Sequence, residues 1–154
     1  MRTRGYESAD GKLRATQPLR HSTMSNVELL QWAVECFGVA QRREEYFSLY
    51  AEDIVLHGYE GVESGISAVK EFYRAFWKAF PDASIAIEEV IASDDRIAVR
   101  YLIIGSLQGP FLGIAARGQA ISLPGISVLH FRDGKCFERW ACSDSQVLLR
   151  QLEA

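Results

Sequence analysis

The sequence predicts an α+β fold, with helices closing one face of a strongly curved, largely antiparallel sheet. Two observations carry this reading. Apolar residues recur at helical spacing as far as Phe80 and alternate at strand spacing from Ser84 onward. Helices first and strands afterwards is the order of an α+β domain, not of alternating parallel units. In the last third, two strand-like runs flank a tight Asp133-Gly134-Lys135 turn, and the second run carries Glu138 and Trp140.

Each element has its own local cause. Ser25-x-x-Glu28 is a capping box that opens a first helix, in which Val27, Leu30, Val34 and Phe37 share one face. A second short helix is expected from about Arg42 to Tyr50, burying Tyr46, Phe47 and Tyr50. Asp53 to His57 reads as a short strand ending at Gly58. A third helix, Ser67 to Phe80, lines up Val69, Phe72, Tyr73, Phe76 and Phe80 and stops at Pro81, which cannot continue a helix. Ser84 to Ala92 and Arg96 to Leu107 are strands joined by a Ser93-Asp94-Asp95 turn. A Gly-rich connection, Gly105 to Gly118, leads to strands Ile121 to Phe131 and Lys135 to Ser143, and Ser145 to Leu152 is a closing helix. The last hairpin has two readings: a two-residue turn places His130 opposite Phe137, whereas a three-residue turn with Gly134 left-handed places it opposite Cys136. Only the second brings His130 to the face of Glu138 and Trp140.

Composition narrows the function. The chain has 154 residues and a net charge of −3, enough for one domain with a substantial core. Its basic residues form no stripe for nucleic acid, and no apolar run approaches the roughly 20 residues that span a bilayer. Residues 1–23 lack periodicity and read as a disordered N-terminal extension to a folded domain of residues 24–154, with Met24 an alternative start. That segment also lacks the apolar centre of a secretory signal. Cys36, Cys136 and Cys142 make no metal or redox pattern, and on one strand Cys136 and Cys142 stand about 20 Å apart. Reduced, buried thiols in a cytoplasmic protein are the reading. Dinucleotide, phosphate-loop, nucleophile-elbow and metal-ligand patterns are all missing, so the site is expected to work without metal or organic cofactor.

The candidate chemistry centres on the last strand. Strands disfavour carboxylates, so Glu138, on the face of Trp140 by strand parity, suggests a half-polar cavity. Arg100, in the middle of an apolar strand, is its expected partner. The pair is either a general acid/base tuned by a guanidinium or a buried ion pair that organises the sheet. His57, at the end of the first strand, is a second proton-transfer group or a loop anchor. Asp144 is either an N-cap for the closing helix or a second carboxylate in the cavity. Trp140 and Tyr101 are favoured to orient a ligand, with Trp77, Tyr73 and Phe111 supplying further aromatic surface. His130 is read as a hairpin residue.

These residues also carry a resemblance. Val99-Arg100-Tyr101, Gly105-Ser106, Gly109-Pro110-Phe111-Leu112-Gly113-Ile114, Gly125-Ile126, Asp133-Gly134-Lys135, Glu138-x-Trp140, Asp144 and Leu149-x-Gln151-Leu152 occur in the order found in SnoaL-like polyketide cyclases. That family is a branch of the nuclear-transport-factor-like superfamily, and the chain resembles it from about Ser25 to Leu152. The resemblance implies a cone-shaped barrel with a deep apolar pocket and a homo-oligomer, dimer or tetramer, that buries the outer sheet face. The chain departs from the family at three places. The acid/base Asp of the last strand falls on Ala141, a frequent His on Leu107, and a Pro-Pro-Thr-Gly loop on Ala115-Ala116-Arg117-Gly118.

Two main functions follow as expectations. The first is a cofactor-independent acid/base enzyme acting on an apolar, polyketide- or terpenoid-like molecule by cyclisation, isomerisation, dehydration or epoxide opening. Glu138, Arg100 and His57 would be catalytic, and Trp140, Tyr101, Trp77, Tyr73, Phe111 and Asp144 would bind substrate. The second, favoured by Ala141 and Leu107, is a non-catalytic small-molecule-binding module. An epoxide hydrolase with an Asp-Arg-Asp set ranks third, because two Asp residues cannot be placed around Arg100.

Overall fold

The computed structural model describes residues 24–154. The extension expected at residues 1–23 lies outside the described residues. Helix α1 (Asn26–Phe37) opens on the capping box, with Ser25 Oγ accepting from the Glu28 amide and Glu28 returning a bond to the Ser25 amide. Then come the four-residue α2 (Arg43–Tyr46), β1 (Tyr50–His57), α3 (Ile66–Ala79), β2 (Ser84–Ser93), β3 (Arg96–Ser106), β4 (Ala120–Arg132), β5 (Lys135–Ser143) and α4 (Ser145–Glu153). No helix among them is long and apolar enough to cross a membrane.

The five strands run in the order β1-β5-β4-β3-β2. All neighbours are antiparallel except β1 and β5, which run parallel. β1 and β2 stay as free edges, so the sheet is curled but not closed. One face, carrying Ile97, Val99, Tyr101, Leu123, Leu129 and Phe131, belongs to the core with α1 and α3. Alternate residues of the same strands point outward.

Two expectations about elements need correction. The second helix is only one α turn between 3₁₀ turns at Ala40–Arg42 and Phe47–Leu49. Tyr50 does not end that helix; it begins β1, three residues earlier than the apolar run Asp53–His57 suggested. Its phenol is held by the Tyr46 hydroxyl at 2.7 Å and by a buried arginine of β5, so a polar contact extends the strand past the apolar pattern.

The hairpin follows neither expected register. Asp133 (φ 50°) and Gly134 (φ 70°) form a two-residue turn with both φ values positive, the pattern of a type I′ turn. Arg132 then pairs with Lys135 and Phe131 with Cys136, but Phe137 bulges and His130 pairs with Glu138. The bulge, rather than a longer turn, brings His130 to the face of Glu138 and Trp140. It also fixes which β5 side chains point inward.

The cysteines differ in setting. Cys36 and Cys136 are buried, and burial pushes the Cys136 thiol up to about 12, whereas Cys142 is exposed on the outer face rather than buried as expected.

At the end of β1, Gly58 has a φ of 84°, and a Cβ there would run into the carbonyl oxygen of Ala141. Only glycine combines that conformation with so close a strand neighbour. The Gly58→Ala variant should lose more than about 2 kcal/mol of unfolding free energy. Chemical denaturation measures this, and an unchanged midpoint would contradict the close approach of β1 and β5.

Candidate active site

The inner face of β5 carries Arg139, Ala141 and Ser143, and these line a cavity of about 200 Å³ beneath α1, α3 and α4. Aromatic and aliphatic side chains form most of the wall, including Phe72, Phe76, Phe111, Ile103 and Leu123. Its polar groups are few. Tyr59, Tyr73 and Tyr101 bring hydroxyls, Arg139 a guanidinium, and the exposed Glu60 a carboxylate.

Arg139 is 7% exposed. Among the described residues it forms no ion pair with a carboxylate. Its Nη1 donates to the Tyr50 hydroxyl at 2.7 Å, with the Tyr46 and Tyr73 hydroxyls at 3.4 and 3.5 Å. Nε and Nη2 both donate to Ser127 Oγ, at 3.2 and 3.0 Å. Ser127 in turn meets the Tyr101 hydroxyl at 3.1 Å. The Tyr50, Tyr73 and Tyr59 hydroxyls continue as a chain at 3.5 and 3.3 Å. Burial works against the Arg139 charge, but the surrounding oxygens of Tyr50, Tyr59, Tyr73 and Tyr46 outweigh it and hold its pKa well above the ordinary value.

Small residues make the room. Tyr101 pairs with Gly125 across β3 and β4, and its ring occupies the place a Cβ at Gly125 would need. Ser127 pairs with Ala141 across β4 and β5, beside the guanidinium. The position expected from the resemblance to carry an Asp is therefore a methyl group on the cavity wall.

The sequence-predicted residues divide between the two faces. Tyr101, Tyr73 and Phe111 line the cavity. Trp77 is buried beside it, against Phe37, Tyr46 and Phe47, with its indole N–H unpartnered. Glu138, His57 and Trp140 lie together on the outer face. His57 Nε2 and Glu138 Oε1 are 2.9 Å apart, and the His57 and Trp140 rings stack at 4.8 Å. Parity grouped Glu138 with Trp140 correctly, but that face is the outside. With side chains 42% and 31% exposed, His57 and Glu138 are not sequestered from water.

Arg100 is not the partner of Glu138. It lies outward on β3 and pairs with Glu88 and Glu89 of β2. Asp144 caps α4, its Oδ1 accepting from the Val147 amide at 3.0 Å, and does not line the cavity. Arg139, Ser127 and Tyr59 were missed altogether, and Tyr46 and Tyr50 were read only as buried residues of the second helix. Their signal was present as a serine and a glycine interrupting the inward apolar positions of β4, and as tyrosines recurring where phenylalanine would pack as well. Among the described residues, no cluster of His, Cys, Asp and Glu could hold a metal ion.

Comparison with known proteins agrees with this architecture. A sequence model of SnoaL-like polyketide cyclases matches residues 27–152. AclR, a candidate hydroxylase from Streptomyces galilaeus, superposes with a TM-score of 0.73 at 26% identity, over 83% of this chain and 95% of its own. A SnoaL-like candidate cyclase from Jannaschia sp. CCS1 gives 0.70 at 21%, over 92% and 98%. IdmH, a candidate polyketide cyclase from Streptomyces antibioticus, gives 0.71 at 21%, over 85% and 100%. Among curated proteins there is no match.

Burial is the largest cause raising the pKa of Tyr46, Tyr50, Tyr59 and Tyr73. A phenol of the unfolded chain ionises near pH 10, and these four ionise higher. The stability they contribute is complete below that pH and is lost as pH climbs through the folded values. In an alkaline titration their phenolate absorbance should rise together with loss of tertiary circular dichroism. Ionisation near pH 10 in a still-folded protein would contradict the buried network.

Proposed function

We propose, for a chain that belongs to the SnoaL-like polyketide cyclase family, that the cavity beneath the helices is an active site for side-chain acid/base chemistry on an apolar, oxygenated small molecule. One observation carries this. A buried guanidinium without a carboxylate partner lines an otherwise greasy cavity, and such a group anchors and polarises a ligand oxygen in a low-dielectric setting. Arg139 is that anchor. Ser127 fixes its plane, and Tyr50 holds Nη1. Glu60, the one carboxylate on the cavity wall among the described residues, is the proton-transfer group at the exposed end. Cyclisation, isomerisation and dehydration all pass through proton transfer beside a carbonyl, and this arrangement serves that step. It replaces Glu138, Arg100 and His57 as the assignment, because those three sit on the outer face.

Proton transfer is measurable before the product is known. The protein should accelerate exchange of the α-protons of small cyclic ketones into deuterated water, followed by NMR. Arg139→Gln should lower that rate roughly 10²-fold, and Glu60→Gln should lower it without weakening binding. Ala141, which leaves the wall without a buried acid, favours the second reading, a binding module. Ketones that bind without exchange would establish that reading and overturn catalysis.

The outer face supports a homo-oligomer. Ile126, Val128 and Trp140 are 53%, 37% and 37% exposed and adjacent on β4 and β5, an apolar patch of the kind that marks an interaction surface. Two copies facing each other through this patch would cover Cys142 as well. Sedimentation should show a dimer at micromolar concentration, and Ile126→Arg should convert it to a monomer that keeps the wild-type secondary structure by circular dichroism. A wild-type monomer under those conditions would overturn the proposal. Free thiols at Cys36 and Cys136 fit a reducing compartment, which we take to be the cytoplasm.

A further inference from the structure

Hydrogen-bond bookkeeping around Arg139 specifies the ligand more narrowly. The guanidinium has five N–H groups. Nε and one Nη2 hydrogen go to Ser127, and both Nη1 hydrogens go to tyrosine hydroxyls. The second Nη2 hydrogen has no acceptor among the described residues. Ser127 Oγ accepts twice from Arg139, so its own proton goes to Tyr101. The Tyr101 proton is then free.

Along Tyr46, Tyr50, Tyr73 and Tyr59, three hydroxyl contacts use three of four protons. Two donor hydrogens, the second on Arg139 Nη2 and that of Tyr101, are thus left without an acceptor among the described residues, beside a guanidinium that no carboxylate pairs. Buried donors left unmade are unfavourable, and so is a buried cation without a paired counter-charge.

We infer that the cavity binds the carboxylate of a small apolar acid, with Arg139 Nη2 and the Tyr101 hydroxyl as its donors, beside Ala141. A planar guanidinium edge and a neighbouring hydroxyl suit two carboxylate oxygens. Volume sets the size of the molecule. A cavity of about 150 Å³ in a protein core holds one benzene ring, so about 200 Å³ here takes one ring or a small bicycle, with anything larger extending past Glu60. The inference rests on the proposed use of this cavity as a ligand site, and it adds the ligand's charge.

The test measures binding of phenylacetate, cinnamate and 2-naphthoate against their primary amides by titration calorimetry. The carboxylates should bind roughly ten- to hundredfold tighter, the range of a charge-assisted hydrogen bond. Ala141→Asp places a carboxylate beside the guanidinium and should erase the preference while keeping Arg139. Tyr101→Phe removes one donor with little change of shape and should weaken carboxylates several-fold more than amides, which covers the case of an aspartate variant that does not fold. Amides binding as tightly as acids would overturn the inference and leave the cavity as a neutral-ligand site. If neither series binds, the inference and the ligand-site reading both fall. Carboxylate binding that survives both substitutions places the anion elsewhere and also overturns it.

Discussion

A single positive charge organises the inside of this protein. Arg139 sits on β5 with its guanidinium among β1, β4, α2 and α3, through Tyr50, Ser127, Tyr46 and Tyr73. Removing a guanidinium from water costs several kcal/mol even after relaxation, and here no carboxylate offsets it. The oxygens of four side chains do so instead, and each oxygen belongs to a different element. Once those elements are seated the cation is solvated by protein; displace one and a charge is exposed to an apolar wall. The early start of β1 and the tyrosines of α2 and α3 all serve this group.

The alternation of β5 then gives the protein two unlike faces. Arg139, Ala141 and Ser143 look into the cavity, while Glu138, Trp140 and Cys142 look outward beside Val128 and Ile126. Charge is handled differently on each side. Outward groups pair in or near water, His57 with Glu138 and Arg100 with Glu88 and Glu89, and such exposed pairs contribute little. They share the outer face with the exposed apolar residues Ile126 and Val128. The inward charge has no such pairing among the described residues, and it is the one proposed to act on a ligand.

Much of the fold was legible because periodicity is a local property. The capping box at Ser25, the stop at Pro81, the change of period at Ser84 and the turn at Asp133-Gly134 each announced an element correctly. The site was less legible, and the reason is geometric. Parity tells which strand residues share a face, so Glu138 and Trp140 were grouped rightly, but it does not tell which face is inside. Arg100 lies between Val99 and Tyr101, both buried, and this made it look like a core cation; on a strand such neighbours point to the opposite side. Arg139 lies between Glu138 and Trp140, so by the same alternation it points to the opposite side, and it was passed over. The bulge at Phe137 depends on tertiary pairing and left no local sign. Tyr73, Tyr101 and Phe111 were placed correctly because an aromatic residue at an inward position fits core and cavity alike.

The cavity itself is a feature the sequence maintains against packing. Along the inner face of β5, Ala141 and Ser143 stand where larger residues would fill the space under α3. Void in a protein core forgoes packing contacts, and the apolar wall of this cavity of about 200 Å³, open at the Glu60 end, does so too. Replacing Ala141 by leucine would recover part of that, and replacing Arg139 by methionine would remove the desolvation cost as well. Neither cost is required by the fold, since a sheet of this curvature packs on helices with ordinary apolar side chains. A void and an unbalanced charge at the same place, each unfavourable alone, become favourable together once an apolar acid fills one and neutralises the other. Their coincidence is the physical argument for the proposal that this interior holds a ligand.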